Sequence, residues 1–169
     1  MKKFLKYFLF AAAFLVFQSS LSNIVSAETI EEDYSISTNY VVKDKEFPIP
    51  KLVEVEQISP NRIQVSFDRD VDTSLGEKAT NYWIQDVMND APKGIATLGK
   101  NDKANSKNSL TDKMVKIEAK EDSARIFILT FDQNIPEGSE YNLIIYNVTV
   151  EGAPSYNGTN GTGSIVGKQ

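Results

Sequence analysis

The sequence predicts an all-β sandwich of about seven strands. Three observations carry this. Apolar and polar residues alternate over several short runs. Turn residues recur between those runs at roughly 8–12-residue spacing. No long window shows the 3.6-residue period of an amphipathic helix.

The first strand runs from Leu52 to Ile58, behind the pairing-blocking Pro48 and Pro50, and stops at the turn signal Ser59-Pro60-Asn61. Arg62 to Phe67 alternates cleanly, with Ile63, Val65 and Phe67 on one face, so these two strands form a hairpin. Val71 to Ala79 holds at most one helical turn, with Asp72 or Thr73 as its cap. Tyr82 to Val87 is a third strand carrying the single Trp, Trp83. Met114 to Ala119 alternates again, and Arg125 to Phe131 is apolar on both faces, as a central strand should be. After the breaker Ile135-Pro136-Glu137-Gly138, Tyr141 to Val150 is the last long strand. Asp90 to Lys113 is rich in Asn, Lys, Ser and Gly, with only Ile95, Leu98 and Leu110 as sizeable apolar groups, and reads as a mobile excursion with a short strand around Gly94 to Leu98. Gly152 to Gly163 is Gly-, Asn- and Thr-rich, and only Ser164-Ile165-Val166 beyond it resembles a strand.

Residues 1–27 read as a secretion signal. Lys2, Lys3 and Lys6 precede the apolar run Tyr7 to Phe17, which is short against the ~20 residues of a membrane span. Val25-Ser26-Ala27 places small residues where a signal peptidase reads, so cleavage is expected between Ala27 and Glu28. Three basic and no acidic residues leave with it, and 15 basic against 23 acidic residues give the remaining 142 a net charge of −8. Residues 28–49 form an acidic leader expected to be flexible, and 50–169 form the sandwich domain. The mature protein is expected to be secreted or held at the cell surface, with no insertion into the membrane.

Composition excludes much chemistry. The chain has no Cys and no His, hence no disulfide, no thiolate nucleophile and no imidazole relay or metal ligand. The acidic balance argues against nucleic acid, whose phosphates need a surplus of Lys and Arg. No cofactor is expected. A bound metal would need oxygen ligands, and Asp68, Asp70 and Asp72 open like a calcium loop. The match then fails, with Thr73 at position six and Ala79 at position twelve. The plainer reading is a solvated corner in which Val71 plugs the sandwich. The other acidic residues fall in no motif for glycoside hydrolysis, so no enzyme is expected.

The run Leu52–Ile58, Arg62–Phe67, the acidic corner Asp68-Arg69-Asp70-Val71-Asp72, then Asn81-Tyr82-Trp83-Ile84, and later Ile135-Pro136-Glu137-Gly138-Ser139-Glu140-Tyr141, resembles the bacterial Ig-like domains of S-layer and other cell-surface proteins. The resemblance spans Pro50 to about Val150. It implies an Ig-like sandwich, with Tyr141 as a tyrosine corner turning its hydroxyl onto the preceding loop. The sequence departs from the family in the long Asp90–Lys113 insert and the short final strand, which leaves a sheet edge open.

Aromatic residues Tyr82, Trp83, Tyr146 and Tyr156 are candidates for stacking on sugar. Tyr82 and Trp83 point to opposite faces. Since Ig-like sandwiches bury a Trp on the third strand, Trp83 is assigned to the core and Tyr82, with Ile144 and Tyr146, to the surface. Lys100, Lys103 and Lys107 on the insert complete the candidate binding groups. Asn147, Asn157 and Asn160 each open an Asn-x-Thr glycosylation pattern, read as coincidence in a bacterial export. The expected function is a non-enzymatic module for binding or adhesion at the bacterial cell envelope or matrix, its partner an envelope polymer or a surface protein. The alternative is a structural component that associates with itself.

Overall fold

Alternation turns into two facing sheets because each strand has one apolar face to bury. The computed structural model describes residues 46–169. The signal, the Ala27–Glu28 junction and the leader as far as residue 45 lie outside the described residues. The strands are β1 (Leu52–Ser59), β2 (Arg62–Phe67), β3 (Tyr82–Asp86), β4 (Val115–Ala119), β5 (Ile126–Phe131), β6 (Glu140–Tyr146) and β7 (Thr159–Val166). One antiparallel sheet has the order β1-β2-β5-β4, and the other β3-β6-β7. That is the order of the constant-type immunoglobulin sandwich, so the chain is an Ig-like β-sandwich. The core between the sheets holds Ile63, Val65, Phe127, Leu129, Leu143 and Ile145, all fully buried. A single helical turn, α1 (Thr73–Gly76), follows the acidic corner, and the Asp72 carboxylate accepts from the Ser74 N–H at 3.0 Å to cap it.

Three expectations need correction, and a fourth gains a partner. First, β7 is a full strand of eight residues, paired along β6 from Glu140↔Val166 to Tyr146↔Thr159. Its glycines hide it from a propensity reading, yet close packing requires them. A Cβ on Gly163 would sit 2.3 Å from Val55 Cγ2, and one on Gly161 3.0 Å from Leu52 Cβ. The edge expected to lie open is thus packed against β1, and Gln57 and Lys168 exchange hydrogen bonds across it at 2.8 and 2.9 Å.

Second, Tyr82 is not a surface residue: it takes the inner face of β3, and Trp83, buried as expected, lies on the outer face. Tyr82 lies in register with Ile145 and faces the core, fully buried, its hydroxyl donating to the Gly76 carbonyl at 2.5 Å. A phenol can be buried so deeply because that carbonyl satisfies it. Burial pushes its pKa far up, and the negative charge of Glu77 adds to the shift. Trp83 lies opposite Ile144 and faces outward, yet is only 5% exposed. Here β6 ends at Tyr146, earlier than expected, because Asn147 turns into the left-handed region with φ +65°.

Third, the insert covers Trp83, and it is docked along β3. Ile95, Leu98 and Leu110 are all buried. The N–H groups of Thr97 and Leu98 donate to the Ile84 carbonyl at 2.8 and 3.0 Å, Asp86 N–H to Leu98 at 2.8 Å, and Leu110 N–H to Tyr82 at 2.8 Å. Three apolar anchors at the right places outweigh a polar composition. The insert's start is held by buried Asp86, whose carboxylate accepts from the N–H groups of Met88 and Asn89 at 2.9 Å and from the Asn89 amide. Burial pushes this carboxyl up, but these donors and the Lys93 N–H together hold it below the usual 3.8. The unfolded chain therefore takes up this proton more readily than the folded one. Stability is fully present above the usual carboxylate range and declines as pH falls toward the lower folded value. Urea midpoints from about pH 6 to about pH 3 should show this slope, and Asp86→Asn should flatten it at a cost of about 1–2 kcal/mol near neutrality. A slope indifferent to the substitution would remove Asp86 from the account.

Fourth, Tyr141 at the start of β6 faces the core, and its hydroxyl, which meets Ser139 in the loop just before the strand, also donates to the Lys93 carbonyl in the insert at 3.3 Å. The insert's turn at Gly94, with φ +59°, brings that carbonyl close, and a Cβ there would lie 2.5 Å from the Tyr141 oxygen.

Candidate functional site

The outward face of β3 and β6 ends in a hollow of about 420 Å³. Trp83 and Tyr146 form its floor, their ring centroids 5.4 Å apart and planes at 76°, an edge-to-face pair. Three segments build the walls. Lys78, Thr80 and Asn81 come from the 3-10 turn before β3, Asn105, Ser106 and Ser109 from the insert, and Asn147 and Asn157 from the β6–β7 connection. The insert is locked here by the indole N–H, which donates to the Asn105 carbonyl and to Asn108 Oδ1, both at 3.0 Å.

The lining contains no carboxylate, and its one charged group is Lys78. The chain has no His or Cys, and among the described residues no hydrogen bond joins the Lys78 ammonium to a hydroxyl of the lining. The hollow can bind polar ligands through amides and hydroxyls over an aromatic floor.

Of the residues singled out from sequence, Tyr146 lies in the hollow, and Trp83 joins it from the outer face. Tyr82 is in the core and takes no part. Lys100 pairs with Asp90 at 3.5 Å, and Lys103 and Lys107 are exposed on the insert, next in sequence to Ala104 and Ser106 of the lining but not part of it. Their main chains shape the loop, the Lys103 carbonyl accepting from the Asn105 and Asn108 amides and the Lys107 N–H donating to Asn105 Oδ1. Lys78, Thr80, Ser106 and Ser109 also line the hollow and carry no motif that would mark them in the sequence. Two of the three Asn-x-Thr patterns, Asn147 and Asn157, did mark the rim.

The acidic corner does not gather into a metal cage. Asp68 takes Arg69 Nη2 at 2.7 Å and the Lys51 N–H at 2.8 Å, and these hold its carboxyl at about 2. Asp70 pairs with Arg125 at 2.6 Å, and Asp72 caps α1. Among the described residues no group of three or more acidic side chains is arranged to hold a metal ion. Val71 is buried between the sheets beside them. No helix among the described residues is long and apolar enough to cross a membrane.

No protein-family model matches this chain, and no curated protein matches it. Among solved structures it is similar to parts of the bacterial S-layer protein SbsC. The crystal structure of that protein's N-terminal part aligns at 16% identity and a TM-score of 0.45, over 70% of this chain and 23% of that one. The structure of its domains 1–6 aligns at 16% identity and 0.47, over 70% and 14%. The crystal structure of rSbsC(31-844) gives 17% and 0.45, over 69% and 13%. This chain thus spans less than a quarter of the length of each SbsC structure it matches.

Proposed function

We propose that this chain is an exported, non-catalytic binding module of the cell surface, and that the hollow over Trp83 and Tyr146 is its recognition site. One observation carries the reading. Three separate segments bring polar side chains to one aromatic-floored hollow that contains no catalytic pair. Loops on a rigid sandwich are the usual carriers of recognition. Export rests on the signal in residues 1–27, and the protein recovered outside the cell is expected to begin at Glu28 on N-terminal sequencing.

Self-association finds less support. Among the described residues the exposed large apolar side chains are Ile49, Val53, Ile58, Met88 and Val166, while the edges of β3 and β7 are covered by the insert and by β1. Light scattering over a concentration series is expected to show a monomer.

Co-sedimentation with cell envelopes tests the site. Tyr146→Ala removes half of the aromatic floor, and truncating a central aromatic commonly costs about 2 kcal/mol or more of binding. Capture should fall at least about tenfold while the melting temperature moves little. Capture that persists undiminished would displace the site.

A further inference from the structure

Resting on that reading of the hollow, we infer that its ligand is an uncharged oligosaccharide, held ring by ring over Tyr146 and by the asparagine rim. Asn61, Asn81, Asn89, Asn105, Asn108 and Asn160 all place their side-chain amides in hydrogen bonds within the protein. The amides of Asn147 and Asn157, and the hydroxyls of Thr80, Ser106 and Ser109, make none among the described residues. These unpaired groups all line one hollow. Amides offer two donors and two acceptor positions, and hydroxyls both donate and accept, which is the pattern that answers a row of sugar hydroxyls. A pyranose also has one face of C–H groups, and the half-buried Tyr146 ring supplies an aromatic surface for it.

Competing ligand classes fit less well. A peptide strand would need a free sheet edge, and the edge of β3 beside the hollow is taken by Leu98 and Leu110 of the insert. A polyphosphate or nucleic acid would need several cations, and the lining has only Lys78. A lipid would need a largely apolar cavity, whereas this lining is mostly Asn, Ser and Thr. The volume of about 420 Å³ falls within the roughly 300–1,000 Å³ of small-ligand sites, so the hollow takes a short stretch of a polymer.

Trp83 is the only Trp in the chain, so intrinsic fluorescence reports on the hollow. The full chain would be titrated with a cellulose, a chitin and an α-mannan oligomer, with polygalacturonate and a random tetrapeptide as comparators. The expected result is a saturable change in Trp83 emission with at least one uncharged oligomer. Its midpoint should weaken about tenfold in Asn157→Ala and in Asn147→Gly, which keeps the left-handed backbone. Both variants should melt as the parent does. If no oligomer changes the emission while Tyr146→Ala still abolishes envelope capture, the sugar assignment is overturned and the site stands. If capture is also indifferent to Tyr146→Ala, both fall. A response to polygalacturonate or the peptide alone would likewise overturn the sugar assignment.

Discussion

Asn160→Ala is expected to lower the free energy of unfolding by about 3 kcal/mol, read as a drop in urea midpoint at constant m-value. Asn160 is the extra residue in β7 where the ladder shifts register, between the pairs Ile145↔Gly161 and Tyr146↔Thr159. Its own backbone drops out of the pairing, and its side chain takes over. Oδ1 accepts from the Val148 N–H at 2.9 Å, and Nδ2 donates to the Val148 and Pro50 carbonyls at 2.8 and 2.9 Å. The side chain is 3% exposed. Alanine leaves three backbone groups without their partner in a place that water reaches poorly, at about 1 kcal/mol each. Asn160→Asp is the sharper variant. A carboxylate keeps the acceptor for Val148 N–H but faces two carbonyls with no proton to offer. Burial and those carbonyls raise its pKa in the folded state, so the variant should regain stability as pH falls through that raised value, the reverse of the Asp86 dependence. If the stability of Asn160→Asp does not rise on acidification, water reaches this corner freely.

The strand frame is legible because buried positions repeat at period two in β2, β4 and β6, while β5, apolar on both faces, is legible as the central strand. What misleads is any residue whose role depends on a distant neighbour. Gly161 and Gly163 look like loop residues until β1 is placed against them. Tyr82 and Trp83 are both large and aromatic, and alternation says only that they face opposite ways. The choice between them is made by the Gly76 carbonyl, which can satisfy a buried hydroxyl, and by an insert able to roof an indole. Alternation puts Tyr141 on the same face as Leu143 and Ile145, as the structure does, but beside Ser139 of the preceding loop its hydroxyl has a second partner, the Lys93 carbonyl, 48 residues away. The hollow itself is almost illegible. Its rim comes from residues as far apart as Lys78 and Asn157, which share no pattern and meet only because the strand order brings them together.

The insert's docking predicts the second large effect. Gly99→Ala should destabilise the chain by about 3 kcal/mol, first in the insert and only then in the sandwich. A Cβ at position 99 would lie 1.8 Å from the Asp90 carbonyl oxygen and 2.6 Å from its carbon. Both are main-chain atoms, so no rotamer can relieve the clash, and the turn from Asp90 to Lys100 must open. That turn is otherwise well held. The Gly99 N–H donates to Asp102 Oδ2 at 2.8 Å, the Lys100 N–H to the Asn89 carbonyl at 2.9 Å, and Gln85 Nε2 reaches the Gly99 and Lys100 carbonyls. Once it opens, Leu98 and Leu110 lose their pairing to β3, and the loop that caps the indole loses its footing. Hydrogen exchange should therefore speed up at the Thr97, Leu98 and Leu110 amides while those of β2 and β5 stay slow. Trp83 emission should shift to longer wavelength as water reaches the ring. Envelope capture should fall with it, because Asn105, Ser106 and Ser109 reach the hollow only while the insert is docked. Were Gly99→Ala to leave Trp83 emission and exchange unchanged, the insert would be an appendage, and the hollow would owe its shape to β6 and the 3-10 turn alone.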